Sequence, residues 1–360
     1  MKNILYIGKY NGIIGGIERY MQKSAELLRR NGLSVHYLYT ENGGREQQNF
    51  AGAFDSINPF TPENELLKTA DIVIIHNIIA VEYLQFMPIG KTFFFAHDHN
   101  IYCQRHHYYM PIGRINCQRK YNKIICTCCS LMRNEAPPLK AYCKLPALVL
   151  SDFMAENLRK NGFEKVVKLP AFIRTSHQAH DFMPDGVLRI LFLGQLIRGK
   201  GADLMLKTLV RLDIPFECTI AGDGKDRFML EKMVEKFKLS DKVLFSGFVS
   251  EPEKLWNNCD LFFFPIRWQE PFGLVALEAM AHGVPAAAFD LGGVREYLSE
   301  DCGALIPEKD LAGAAETIKQ FFLHPKRLKQ LGDKALQIAE EKFSEERFVE
   351  KFNKLPEILK

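Results

Sequence analysis

The chain has 360 residues, long enough for two domains of ordinary size, and its 47% hydrophobic and 25% charged residues describe a soluble globular protein. Its net charge of +4 permits approach to anionic nucleotides or anionic lipid and does not call for nucleic acid. No run approaches the ~18 apolar residues of a membrane span. The opening MKNILYIGKY is too short in apolar residues for a secretory signal, and nine cysteines without one predict a reducing, cytoplasmic setting with free or metal-bound thiols.

In chain order, residues 4–7 predict a first strand, 10–16 (YNGIIGG) a glycine-rich turn and 17–31 an amphipathic helix. Ile17, Tyr20, Met21, Ala25 and Leu28 share one face of that helix. Gly32 closes it and 34–39 reads as strand two. This is a βαβ opening whose glycines either bring the backbone close to a ligand or simply turn the chain. Residues 70–75 and 92–96 are two further apolar runs, each ending beside a histidine, His76 and His97. Ligands of open α/β sheets lie just past such strand ends.

Residues 101–143 depart from this pattern. They hold Cys103, Cys117, Cys126, Cys128, Cys129 and Cys143 among arginines, lysines, histidines and tyrosines. Cys126 and Cys129 have C-x-x-C spacing, and Cys103 and Cys117 could complete four thiolates around a structural zinc. The alternative is a set of free cysteines in a basic loop. The same segment offers Arg105, Arg114 and Arg119 to an anionic group, or else is a solvated loop. Residues 147–150 predict a strand, Ser151 caps a helix running to 161, 166–169 form a further short strand, and the polar stretch 175–186 reads as a linker.

The second half restarts the α/β alternation. Strands are predicted at 188–193, 217–221, 243–246 and 286–289, with helices at 202–212 and up to 238, and helical sequence from 310 onward. Residues 261–265 (LFFFP) read as a buried strand followed by QEPFGLVALEAMAHGVP (269–285). There Pro271 breaks the backbone, 272–282 predict a helix, and Gly283 and Pro285 stop it. Glu270 stands just before that helix and Glu278 inside it. A carboxylate accepts two hydrogen bonds at once, which suits a pair of adjacent hydroxyls. The unpartnered N–H groups of Phe272, Gly273 and Leu274 suit a phosphate. On the residues alone, a buried helix with Glu278 in a structural ion pair remains open.

The string E-P-F-G-L-x-x-x-E-A-M-A-x-G-x-P closely resembles the donor-site signature of retaining glycosyltransferases of family 4. The resemblance implies an α/β chain of GT-B fold, two Rossmann-like domains facing across a cleft. Residues 1–180 would be the acceptor-side domain and 186–342 the nucleotide-sugar domain, with 343–360 returning to the first. It implies a nucleotide-diphosphate sugar as donor, a UDP-sugar above all, and an acceptor hydroxyl, with an anionic or lipid-linked acceptor suiting the three arginines. A peripheral contact at the inner face of a membrane is compatible with such an acceptor.

The resemblance also carries roles. Gly15 and Gly16 match a Gly-Gly pair that faces the donor phosphate. His97-Asp98 matches a His-Asp pair beside the transferred sugar. Glu270 would hold sugar hydroxyls, Glu278 the ribose, and Phe272, Gly273, Leu274 and Lys200 the diphosphate. Lys200-Gly201 is kept in the loop GQLIRGKG, but Gln195 occupies the usual arginine site, and a glutamine supplies no charge. Arg198 is the candidate replacement. The chain has no Asp-x-Asp triplet, so the donor diphosphate is expected to need no divalent ion and the enzyme no cofactor.

Three rivals follow from the same residues. A nicotinamide oxidoreductase needs G-x-G-x-x-G after strand one, and residues 12–16 lack that spacing. A GT-B hydrolase or phosphorylase would use the same donor site without an alcohol acceptor. A non-enzymatic metal- or nucleic-acid-binding protein would rest on the cysteine- and arginine-rich segment.

Overall fold

A computed structural model describes residues 2–110, 115–130, 135–175, 182–183 and 185–358. The chain divides into two units, residues 1–170 with 345–360, and residues 171–344. Among the described residues no helix is long and apolar enough to cross a membrane.

The first unit is built on a parallel sheet. Its strands are β1 (Asn3–Tyr10), β2 (Ser34–Glu41), β3 (Ser56–Pro59), β4 (Ile72–Ile75) and β5 (Thr92–Phe95). A small antiparallel ribbon, β6 (Tyr109–Met110) and β7 (Ile115–Asn116), precedes β8 (Ala147–Val149) and β9 (Val166–Lys168). The sheet order is β3-β2-β1-β4-β5-β8-β9. Strands β4, β5 and β8 are buried along their whole length, which is why IVII, TFFF and ALV read as continuous apolar runs rather than alternating ones. The helix Gly16–Arg30 buries Tyr20, Met21, Ala25, Leu27 and Leu28, four of which lie on the face its periodicity predicts. Ser151 caps the helix Asp152–Lys160 as expected, its Oγ accepting the Met154 N–H at 3.1 Å. The helix Glu345–Asn353 belongs to this unit, where Glu345 pairs with Arg30 at 2.9 Å.

The second unit repeats the plan. Its strands are β10 (Leu188–Leu193), β11 (Phe216–Ala221), β12 (Val243–Gly247), β13 (Leu261–Phe264), β14 (Ala286–Phe289) and β15 (Gly303–Ile306), all parallel in the order β12-β11-β10-β13-β14-β15. The helix Leu274–Ala281 lies among buried alanines and apolar residues, and comes so near the helix Pro325–Phe343 that a methyl group at Gly332 would fall 2.2 Å from the Gly283 carbonyl.

In both sheets the order reverses beside the first strand, between β1 and β4 and between β10 and β13. Such a reversal splits the neighbouring loops apart and opens a crevice at the carboxyl ends of the strands. The loops there are the glycine-rich turn and His76 in the first unit, and residues 194–201 and 265–273 in the second.

Candidate active site

In the second unit the strand β13 delivers Pro265–Phe272 to the switch point as an irregular loop. Two neighbours hold it. The loop at Arg198–Lys200 docks on one side, with the Gly199 carbonyl accepting the Arg267 N–H at 2.9 Å. A methyl group at Gly199 would fall 1.9 Å from the Trp268 ring, and Gly201, at φ +80°, lies with its Cα against the Pro265 carbonyl. On the other side Gly293 N donates to the Glu270 carbonyl at 2.7 Å. Gly292, at φ +68°, sits so close that a side chain would meet the Glu270 oxygen at 2.1 Å. Tyr297 Oη then donates to the Gly273 carbonyl at 2.9 Å. The helix therefore begins at Leu274 rather than Phe272, with Gly273 as its left-handed N-cap at φ +90°.

This clamping fixes the chemistry. Lys200 Nζ donates to Glu270 Oε2 at 2.9 Å, and Trp268 Nε1 donates to the same oxygen at 3.3 Å. Both ionic groups are largely enclosed, with side-chain exposures of 23% and 14%. The Lys200 ammonium also stands 5.6 Å from the Trp268 ring centre and 5.8 Å from that of Phe264, where aromatic faces favour a cation. Glu270 thus keeps Oε1 for another donor while Oε2 is anchored. Glu278 lies with Leu274 and Val275 on the half-exposed face of a helix whose other residues are buried. Gln195 and Arg198 are both exposed. Behind the loop, Arg267 is buried in an ion pair with Asp203, which Lys207 shares at 3.2 Å.

In the first unit Gly15 precedes the helix, and its N–H is already bonded to Glu18 Oε2 at 3.0 Å. That leaves the later first-turn N–H groups for a ligand. Nothing lies within 4 Å of where a side chain would stand on Gly15 or Gly16. Strand β4 ends at His76 and β5 leads to His97, and the two rings meet, His76 Nδ1 to His97 Nε2 at 2.9 Å. Phe95 stacks on His97 at 4.2 Å between ring centres. Burial holds His97 down at about 3 and His76 well below the usual range, so both rings are neutral at physiological pH. Asp98 accepts from the backbone and side chain of Asn100 at 2.9 and 2.8 Å. Burial raises it to about 6 against the backbone hydrogen bond, with Glu18 adding to the rise.

The acceptor-side candidates diverge. Arg105 donates to the Cys129 carbonyl at 3.2 Å and so braces its own loop, Arg119 is exposed, and Arg114 lies outside the described residues. The zinc candidates are corrected. Among the described residues no three His, Cys, Asp or Glu side chains are grouped to hold a metal ion, and none of Cys103, Cys117, Cys126 and Cys129 is in a disulfide. Cys103 and Cys117 pack on the edge of the apolar core, and burial pushes the Cys103 and Cys129 thiols up.

Several residues of the site escaped the sequence reading: Trp268, Tyr297, Glu18 and His76 as the partner of His97. Only Glu18 carried a local signal, an acid three residues into a helix start.

Residues 174–337 match the family model described as glycosyl transferases group 1. This part of the chain is similar to the group 1 glycosyl transferases. Among curated relatives, an uncharacterized glycosyltransferase of Bacillus subtilis, YqgM, is 28% identical over 195 residues, 51% of this chain and 54% of that protein. A D-inositol 3-phosphate glycosyltransferase of Paenarthrobacter aurescens is 32% identical over 171 residues, 45% of this chain and 41% of its own. The chain spans about half the length of these relatives. Among solved structures, Anabaena HepE in complex with UDP and glucose superposes with a TM-score of 0.74 at 16% identity, covering 99% of both chains. That likeness shows the fold: each unit is one Rossmann-like half of the GT-B fold.

Proposed function

We propose that the chain is a retaining, metal-independent glycosyltransferase that moves a hexose-type sugar from a nucleotide-diphosphate sugar, a UDP-sugar first, to an acceptor hydroxyl in glycan or cell-envelope synthesis. The observation that carries this reading is the Glu270–Lys200 pair beside the clamped Gly273 turn, at the switch point of a sheet whose unit matches the group 1 family. Anabaena HepE and its UDP and glucose complex support the donor class.

The roles follow from charge. As the bond between the anomeric carbon and the diphosphate breaks, positive charge grows on the sugar and negative charge on the leaving group. Lys200 and the N–H groups of Phe272, Gly273 and Leu274 are fixed beforehand to meet that negative charge, which is where preorganised dipoles act most strongly. Arg198 supplies the second cation that Gln195 does not. Glu270 Oε1 orients sugar hydroxyls and Glu278 holds the ribose. In the first unit, Gly15 and Gly16, with nothing within 4 Å of where a side chain would stand, are the candidates for the donor phosphate and His97 the candidate for the sugar. The acceptor oxygen attacks the face that the diphosphate leaves, and its proton goes to the departing phosphate oxygen, so no protein base is required. Arg105 and Arg119 are the described acceptor-side candidates, with Arg114 the third.

Thermal stabilisation by a panel of nucleoside diphosphates and their sugars tests the donor site. A UDP-sugar is expected to raise Tm, and a flat response to the whole panel rejects the site. Turnover is expected to survive EDTA. Loss of activity with rescue by Mn²⁺ would overturn metal independence, and release of free sugar without an acceptor would favour a hydrolase.

A further inference from the structure

His76 and His97 form a unit that the proposed reaction does not by itself explain. His76 is 2% exposed and stands among rings, 4.3 Å from Tyr6 and 5.5 Å from Phe95, centre to centre. Its Nδ1 meets His97 Nε2, while its Nε2 is buried without a hydrogen-bond partner. Among the described residues the His97 ring makes no other hydrogen bond, and it is half-buried. Both rings are uncharged, so exactly one proton lies between them: each carries one N–H, and only one of those can fill the shared bond. The choice fixes both outer nitrogens.

If His97 donated inward, His76 would carry its N–H on the enclosed Nε2, an orphaned buried donor, which is rarer in proteins than an under-used acceptor. If His76 donates, that enclosed nitrogen keeps only a lone pair. His97 then carries its own proton on Nδ1, the nitrogen turned away from His76. We infer that His76 is a positioning residue that holds His97 as its Nδ1–H tautomer, so that His97 offers a hydrogen-bond donor, and not a base, to an oxygen of a bound ligand such as a sugar hydroxyl. The ligand half of this inference rests on the glycosyltransferase reading; the tautomer half does not. An imidazole in water prefers the opposite tautomer, with its proton on Nε2, so the buried partner has a measurable effect to produce.

Nitrogen-15 spectra of histidine-labelled protein, with His97 assigned by its loss in His97→Gln, read the ring directly in the ligand-free chain. A protonated Nδ1 with a bare Nε2 at His97 is expected, and the reverse pattern overturns the inference. His76→Phe should return His97 to the Nε2–H form and raise donor KM about 3- to 10-fold, the worth of one hydrogen bond, with a smaller change in kcat. His76→Gln, which keeps an amide N–H within reach of His97, should restore the Nδ1–H signature and most of the affinity even if His76→Phe folds poorly. An unchanged tautomer in both variants also overturns the role of His76. A flat response to the nucleotide-sugar panel would reject the donor reading while leaving the tautomer result standing, so the two fail separately.

Discussion

At the scale of single residues, the second unit concentrates its charge on one shared oxygen. Glu270 Oε2 receives both Lys200 and Trp268, seventy and two positions away in sequence. The short motif singled out Glu270 as a candidate, because an acid before Pro-Phe-Gly stands out. It could not show that Lys200 leans on it, since the contact is made by the docking of two loops from different strands. Removing the lysine leaves a largely enclosed carboxylate uncompensated and, on the proposed reading, takes a cation from the donor diphosphate. Lys200→Met is therefore expected to lower kcat/KM on the order of 100-fold or more, the loss typical of one preorganised electrostatic group, in steady-state assays with a saturating acceptor. Trp268→Phe keeps an aromatic face while removing the N–H and part of the ring that packs over Gly199, and a 3- to 10-fold loss is expected. Equal losses for the two variants would show that the ring packing, not the charge, matters. The loop cations are separable too. Arg198 is exposed, and Arg198→Ala should raise donor KM more than Gln195→Ala; the reverse order in the same assay would remove Arg198 from the diphosphate.

At the scale of elements, strands were easier to read than the points where helices begin. Residues 188–193 and 286–289 were legible to the residue, because largely buried parallel strands are made of mostly apolar runs. The helix 274–281 was expected two residues early, because Phe272 and Gly273 have no local mark of the Tyr297 tether and the Gly292–Gly293 contact that hold them out of the helix. Strand β3, SINP, was missed: it lies at the sheet edge, half exposed, with no apolar run to announce it. These origins predict different consequences for two helix-start substitutions. Ser151→Ala loses one cap and should lower stability by about 1 kcal/mol while leaving kinetics alone. Gly292→Ala forces a left-handed residue, about 1–2 kcal/mol, and collides with the Glu270 backbone, so it should lower both Tm and kcat/KM. Unfolding curves and kinetics on the same preparations check both; a kinetically silent Gly292→Ala would mean that the Glu270 turn does not depend on its neighbour.

At the scale of the whole molecule, the two sheets share one strand order, and each puts its chemistry-bearing loops where that order reverses. The repeat was legible as two α/β halves, while the burial that sets proton affinities was not, because it depends on which rings surround a histidine. That burial makes a pH prediction for the first unit. His97, held at about 3, and His76, also lowered, stay neutral in the fold and take up protons once unfolded below about 6.5. The unfolded chain then binds more protons, so stability falls as pH drops through that window. Asp98 opposes this: raised to about 6, it takes up its proton in the fold before it would in the unfolded chain, which adds stability as pH falls from about 6 towards 4. These two histidines against one carboxyl, with His106 also lowered by burial, leave a net loss on the order of 1 kcal/mol per pH unit or more near pH 5, less the screening at the partly exposed groups. His76→Phe removes one of the two proton acceptors of the unfolded state. Denaturant unfolding at pH 7.5 and 5 should therefore show a gap between the two pH values that is smaller in His76→Phe than in the parent, by about 1–2 kcal/mol. Parallel pH profiles for parent and variant would mean that His76 is already charged, or open to water, in the folded chain.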